Sequence, residues 1–127
     1  MFETWATRFS DSRVRRFWIL GLAALLLHTV LDPLLTYLAV NVLDVGVETN
    51  LWLATYLNQG LTTFIGIHFP LYLGSLLMMS VFTWLFSRAS ESEATQLYWL
   101  SIGTWSAIIL WGILIVGNNL WVLLQSI

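Results

Sequence analysis

The sequence predicts an all-α integral membrane protein, a three-helix bundle with a short interfacial or re-entrant helix between the first and second spans. Two observations carry this. Of 127 residues, 58% are hydrophobic and 9% charged, against about 25% charged in an average globular protein. A soluble domain of this size could not cover its surface with so few charges. The apolar residues also fall in three long runs, each matching or exceeding the roughly 20 residues that cross a bilayer.

Residues 1–16 are polar and basic. Phe2, Trp5 and Phe9 share one helical face beneath Arg8, Arg13, Arg15 and Arg16, which suits either a helix on the membrane surface or an unstructured tail. The first span is residues 17–43. The basic residues before it invite comparison with a signal peptide, but His28 and Asp32-Pro33 follow without a small-x-small cleavage site, and the segment reads as a retained anchor. Pro33 removes one helical hydrogen bond and is expected to kink the helix.

Residues 44–60 form the outer connector, with Asp44, Gly46, Glu48 and Asn50 ahead of the apolar stretch Leu51–Leu57. That stretch is too short to cross a bilayer. It reads as a half-helix with Asn50 as N-cap and Gly60 as its stop. The second span is 61–86, carrying His68 and Pro70. Residues 87–96 form a polar turn, and 97–124 are the third span, broken late by Asn118 and Asn119. The whole is one membrane domain.

The five basic residues are all arginines. Four precede the first span, and Arg88 lies between the second and third. The positive-inside rule therefore predicts a multi-pass protein of the cell membrane, N-terminus in the cytoplasm and C-terminus outside. Trp18, Trp84 and Trp99 then belong at the inner interface, Trp52 and Trp121 at the outer one.

A net charge of −2 excludes an electrostatic nucleic-acid surface. The absence of cysteine excludes disulfides, thiol catalysis and thiolate metal sites. The absence of lysine excludes Schiff-base chemistry, and no cofactor is expected.

Ionisable groups within a span cost about 2.5–3.5 kcal/mol or more near its centre. A rise of 1.5 Å per residue puts Asp32, His68 and Asn118 about 24–32 Å from the cytoplasmic ends of their spans. They share the outer part of the bilayer. His28, Asp32 and Thr36 follow i, i+4, i+8 spacing on one slowly drifting face. The expectation is a polar, outward-opening pocket built from Asp32, Glu48, His68 and Asn118, with His28 and Asn119 as further candidates. It admits two readings: a site for a proton, cation or small polar group, or a hydrogen-bonded lock between helices. Characteristic His-x-x-x-His and Glu-x-x-His metal spacings are missing. No serine lies in a nucleophile elbow, which leaves Asp32 and Glu48 as the one candidate acid–base pair. Gly74, Gly103 and Ala107 are the candidate helix-packing positions, with Gly21, Ala24 and Ser75 thinning their helices.

Asp32-Pro33-Leu34-Leu35-Thr36-Tyr37, followed by Glu48-Thr49-Asn50 and a late Asn118 or Asn119, resembles an uncharacterised family of short membrane proteins of haloarchaea and bacteria. Their pattern is Asp-x-x-x-Thr in the first span, Glu-x-Asn-Pro in the next loop and an Asn late in the last span. The chain departs from it at Leu51, where proline is expected, and in lacking a basic residue in the second span, for which His68 stands in. The resemblance implies a ligand-binding or structural layer of Asp32, Thr36, Glu48, Asn50, His68, Asn118 and Asn119 without naming an activity.

The function expected is a non-catalytic subunit of a membrane assembly, formed with itself or a larger complex, whose polar layer organises the assembly or binds a small ligand. The alternatives are a proton or cation channel using Asp32 and His68, and a membrane enzyme using Asp32 and Glu48.

Overall fold

A computed structural model describes residues 11–125. The surface helix expected around Phe2, Trp5 and Phe9 lies outside these residues. Helix α1 runs Ser12–Val42, α2 Leu51–Leu57, α3 Leu61–Phe86 and α4 Glu91–Leu124; α1, α3 and α4 are each long and apolar enough to cross a membrane. The all-α architecture with a half-helix after the first span is as the sequence predicts, and no strand occurs among the described residues.

Helices α1 and α4 begin before their apolar runs do, because their polar first turns are capped. Asp11 caps α1, its carboxylate accepting from the Arg13 backbone N–H at 2.8 Å. Ser90 caps α4 in a reciprocal box with Glu93: Ser90 Oγ takes the Glu93 N–H while the Glu93 carboxylate accepts from the Ser90 N–H. Such boxes satisfy two otherwise unpaired backbone donors.

Arg13 ties this end together. Its guanidinium pairs with Asp11 at 3.1 Å and Glu91 at 2.8 Å and lies 5.2 Å from the centre of the Phe86 ring. The start of α1 and the α3–α4 turn thus share one end of the bundle. The Arg13 guanidinium beside Asp11 holds that carboxyl below its ordinary value, against the opposing effect of partial burial. A carboxyl depressed on folding stabilises the native state above its unfolded pKa, and the contribution is lost as pH falls through the folded value. Asp11→Ala is accordingly expected to cost about 1 kcal/mol as a lost cap. In detergent melts the gap from wild type should be full at neutral pH and close on acidification below the usual carboxylate range; a gap that persists in acid would refute this assignment.

Pro33 does not interrupt α1. The turns at Leu27–Leu31 and again at Leu38–Val42 widen to i→i+5 bonding, with the Asp32 N–H reaching the Leu27 carbonyl. The wide turn accommodates the missing donor and the ring that would otherwise crowd the Thr29 carbonyl, so α1 runs on as one helix past Pro33. Asp44, at φ 54°, ends α1. Its short polar side chain tolerates this left-handed conformation better than most.

Beyond Asp44 the chain runs extended, with Gly46 close to Ala39 and Val122, to α2. The α2 C-terminus is pinned on α1 by Asn41 Nδ2, which donates to the Leu57 carbonyl at 3.0 Å. Gly60 makes the α2–α3 corner at φ 103°, ψ 164°, a region essentially reserved for glycine. Leu57 and Phe64, each 1% exposed, fill the space beneath it.

α1 is the central helix. α3 and α4, although consecutive, both pack chiefly on α1 and touch little between themselves. The core toward the arginine-bearing end is Phe17, Leu25 and Met79, with Phe82 and Trp105 against it; the Phe17 and Phe82 rings stack at 4.3 Å. Trp18 is turned inward, its indole N–H donating to Thr83 Oγ1 at 2.9 Å, which qualifies its expected role as an interfacial anchor. Gly21 meets Met79 and Trp105, and Gly112 meets Leu27 and His28. These two, rather than Gly74 or Gly103, are where helices approach closely within the chain. A Cβ at Gly74 or Gly103 would meet nothing within 4 Å, and Ala107 is exposed.

Candidate functional site

The polar residues toward the α2 end of the bundle sort into one shared cluster and several local arrangements. The cluster joins α1 to α4. Asn119 Nδ2 donates to Asp32 Oδ1 at 2.9 Å and lies 3.2 Å from Thr36 Oγ1. Thr36, one turn beyond Asp32, donates its hydroxyl to the same Oδ1 at 3.3 Å. The three side chains form a closed ring: the carboxylate accepts twice, and the Thr36 oxygen both donates and accepts. All three are half-buried. The ring needs Asp32 and Thr36 one turn apart on the face of α1 that packs on α4, and the regular helical segment Asp32–Tyr37 keeps them so.

His28 makes a second link along the same face. Its Nε2 lies 3.0 Å from the Ile108 carbonyl; a carbonyl only accepts, so Nε2 carries the proton and donates. The imidazole fits because Gly112, one turn beyond Ile108, has no side chain. A Cβ there would stand 2.9 Å from His28 Nε2 and 3.0 Å from Leu27 Cβ.

Glu48, His68 and Asn118 are not brought into this cluster. Glu48 Oε1 accepts from the Asn50 N–H at 2.7 Å, and Asn50 Oδ1 accepts from the N–H groups of Trp52 and Leu53 at 3.0 and 3.3 Å. Glu48 and Asn50 thus build the N-terminal cap of α2. His68 Nδ1 donates to the Phe64 carbonyl at 2.8 Å, and its ring stands edge-on to Phe64 at 5.4 Å; it is tied to its own helix. Asn118 is exposed on α4, facing away from Asp32, so Asn119 takes the place expected for it. The single pocket expected from Asp32, Glu48, His68 and Asn118 therefore does not form within one chain. Its carboxylates have separate partners, and Asp32 and His68 share none. No group of three or more His, Asp or Glu side chains is placed to hold a metal ion among the described residues.

Comparison with known proteins finds no matching family model, no matching curated protein and no matching solved structure.

Proposed function

We propose that the chain is a non-catalytic membrane subunit that assembles with further copies of itself through the outward face of α4, its arginine-bearing end in the cytoplasm. The outward face of α4 carries this reading. Trp99, Gly103, Ser106, Leu110, Ile113 and Gly117 are all exposed and follow the alternating four-and-three spacing of a helix-pairing seam. Gly103 and Gly117 have no neighbour within 4 Å in a single chain, and small residues on a membrane helix let a second backbone approach closely. Asn118, at the edge of this face, presents an exposed amide without a hydrogen-bond partner among the described residues. An amide both donates and accepts, so two copies can satisfy each other. In this reading the Asp32–Thr36–Asn119 ring holds α4 in the orientation that presents the seam.

The absence of native cysteine makes the test direct. With Gly103→Cys and Gly117→Cys, mild oxidation of native membranes is expected to give a disulfide-linked dimer at each position. Leu22→Cys, exposed on α1, should remain monomeric. Monomers at 103 and 117, or equal crosslinking at all three positions, would overturn the assignment of the seam.

A further inference from the structure

Because α3 and α4 lean on α1 rather than on each other, a groove runs between them with α1 as its floor. At the inner end it is a space of about 660 Å³ edged by Arg88, Glu93, Gln96 and Leu100. At Leu100 it continues into a space of about 610 Å³ walled by Met78, Phe82 and Trp105. Sharing Ser75 and Trp105, a third space of about 450 Å³ ends beside His28 and Trp111. Each falls in the roughly 300–1,000 Å³ range of small-molecule sites. The groove lies on a different side of α4 from the seam of Gly103, Ser106 and Gly117, so this inference rests on the membrane reading and not on self-association.

The mouth of the groove is polar and its length is apolar. The Arg88 guanidinium lies over the Trp84 ring, 4.4 Å from its centre, and makes no ion pair among the described residues. Glu93 edges the same mouth, but its Oε2 is engaged by the Ser90 N–H at 2.8 Å and the Ser90 hydroxyl at 2.7 Å. The donors facing an occupant are a guanidinium fork and the Gln96 amide, a set that matches a phosphate, while Glu93 keeps its charge and Oε1 at the edge of the mouth and directs the phosphate to the Arg88 side. From Gln96 to Trp111 the groove extends about 22 Å along α4 at 1.5 Å per residue. That is enough for the headgroup zone and the inner half of a roughly 30 Å hydrocarbon core.

We propose that this groove holds one glycerophospholipid of the inner leaflet, its phosphate on Arg88 and one acyl chain lying along the groove toward Trp105 and His28. A transmembrane helix laid here would bring apolar side chains against the guanidinium with nothing to accept from it; a phosphate accepts. Lipid tails gain no hydrophobic energy by leaving other tails, so the discrimination resides in the headgroup.

Native mass spectrometry of the full chain, with dioleoyl phosphatidylglycerol and dioleoylglycerol offered at equal concentration, tests this. These probes have the same acyl chains and differ in the phosphate-bearing headgroup. Phosphatidylglycerol should be retained about fivefold more, the factor corresponding to roughly 1 kcal/mol for one interfacial arginine. Arg88→Gln should bring the two to parity. Gly74→Trp fills the groove at a position where a side chain meets nothing, and should reduce retention of both. Equal retention by wild type, an undiminished preference in Arg88→Gln, or undiminished binding in Gly74→Trp would each overturn the proposal. None of these outcomes bears on crosslinking at Gly103 and Gly117, so the two readings fail separately.

Discussion

Alanine at Gly112 is expected to lower the stability of the bundle by about 1–3 kcal/mol, the usual cost of overpacking a filled interior, and leucine by more. The sign makes the experiment informative. Within an exposed helix, glycine to alanine gains up to about 1 kcal/mol of helix propensity. At Gly112 the new Cβ would lie 3.0 Å from Leu27 Cβ and 2.9 Å from His28 Nε2. Leu27 Cβ is fixed to the α1 backbone and cannot rotate away, so α1 and α4 must separate. That separation also stretches the bond from His28 to the Ile108 carbonyl. Thermal melts in mild detergent should show Gly112→Ala below wild type, and Gly74→Ala, which meets nothing within the chain and lies outside the proposed seam, unchanged or above it. A Gly112→Ala melt at or above wild type would show that α1 and α4 do not meet there.

Leucine at Asn119 is expected to cost about 2 kcal/mol, within the range for losing a hydrogen bond to a charged group. The substitution removes the one donor among the described residues that reaches Asp32 from another helix, leaving the carboxylate, among those residues, with Thr36. Asp32→Asn should cost less, because an amide oxygen still accepts from Thr36 and Asn119. The double variant Asp32→Leu with Asn119→Leu should be more stable than the sum of its single changes, since it leaves no orphaned charge behind and the Thr36 hydroxyl can turn to the carbonyl of its own preceding turn. Chemical unfolding of the four proteins of this cycle measures the coupling. A coupling near zero would mean that the ring does not join the two helices.

The membrane fold is legible in the sequence because composition and run length are properties of whole segments. Individual partners depend on rotation about a helix axis, which one residue changes by about 100°. That is the difference between Asn118 and Asn119: both stand at the right depth, and only the packing face of α4 decides between them. That face is marked by Ser101 and Gly112, both buried and eleven residues apart, about three turns. Reading that spacing would have singled out Gly112, which goes unremarked among its bulky neighbours. Asp32 and Thr36 are legible as a pair because a step of four places them on one side of one helix. Glu48 belongs to a different kind of interaction. Its Glu-x-Asn spacing encodes a cap for α2, and the cap is recognisable from Asn50 alone, while depth in the membrane suggests a partnership with Asp32 that the local turn pre-empts. His68 is likewise captured by its own preceding turn, at the Phe64 carbonyl.

The widened turn at Leu27–Leu31 has a consequence beyond accommodating a proline. In a regular helix a step of four residues overshoots a full turn by about 40°, so a stripe at 28, 32 and 36 would wind away from any straight partner and lose step within two turns. A turn closed by i→i+5 bonds holds more residues and sets that angle back. The turn between His28 and Asp32 therefore acts as a phase corrector, keeping these two groups in step with the same side of the last helix, while Thr36 follows Asp32 through a regular turn. Two elements of unequal winding can then be fastened at several heights without either being coiled around the other.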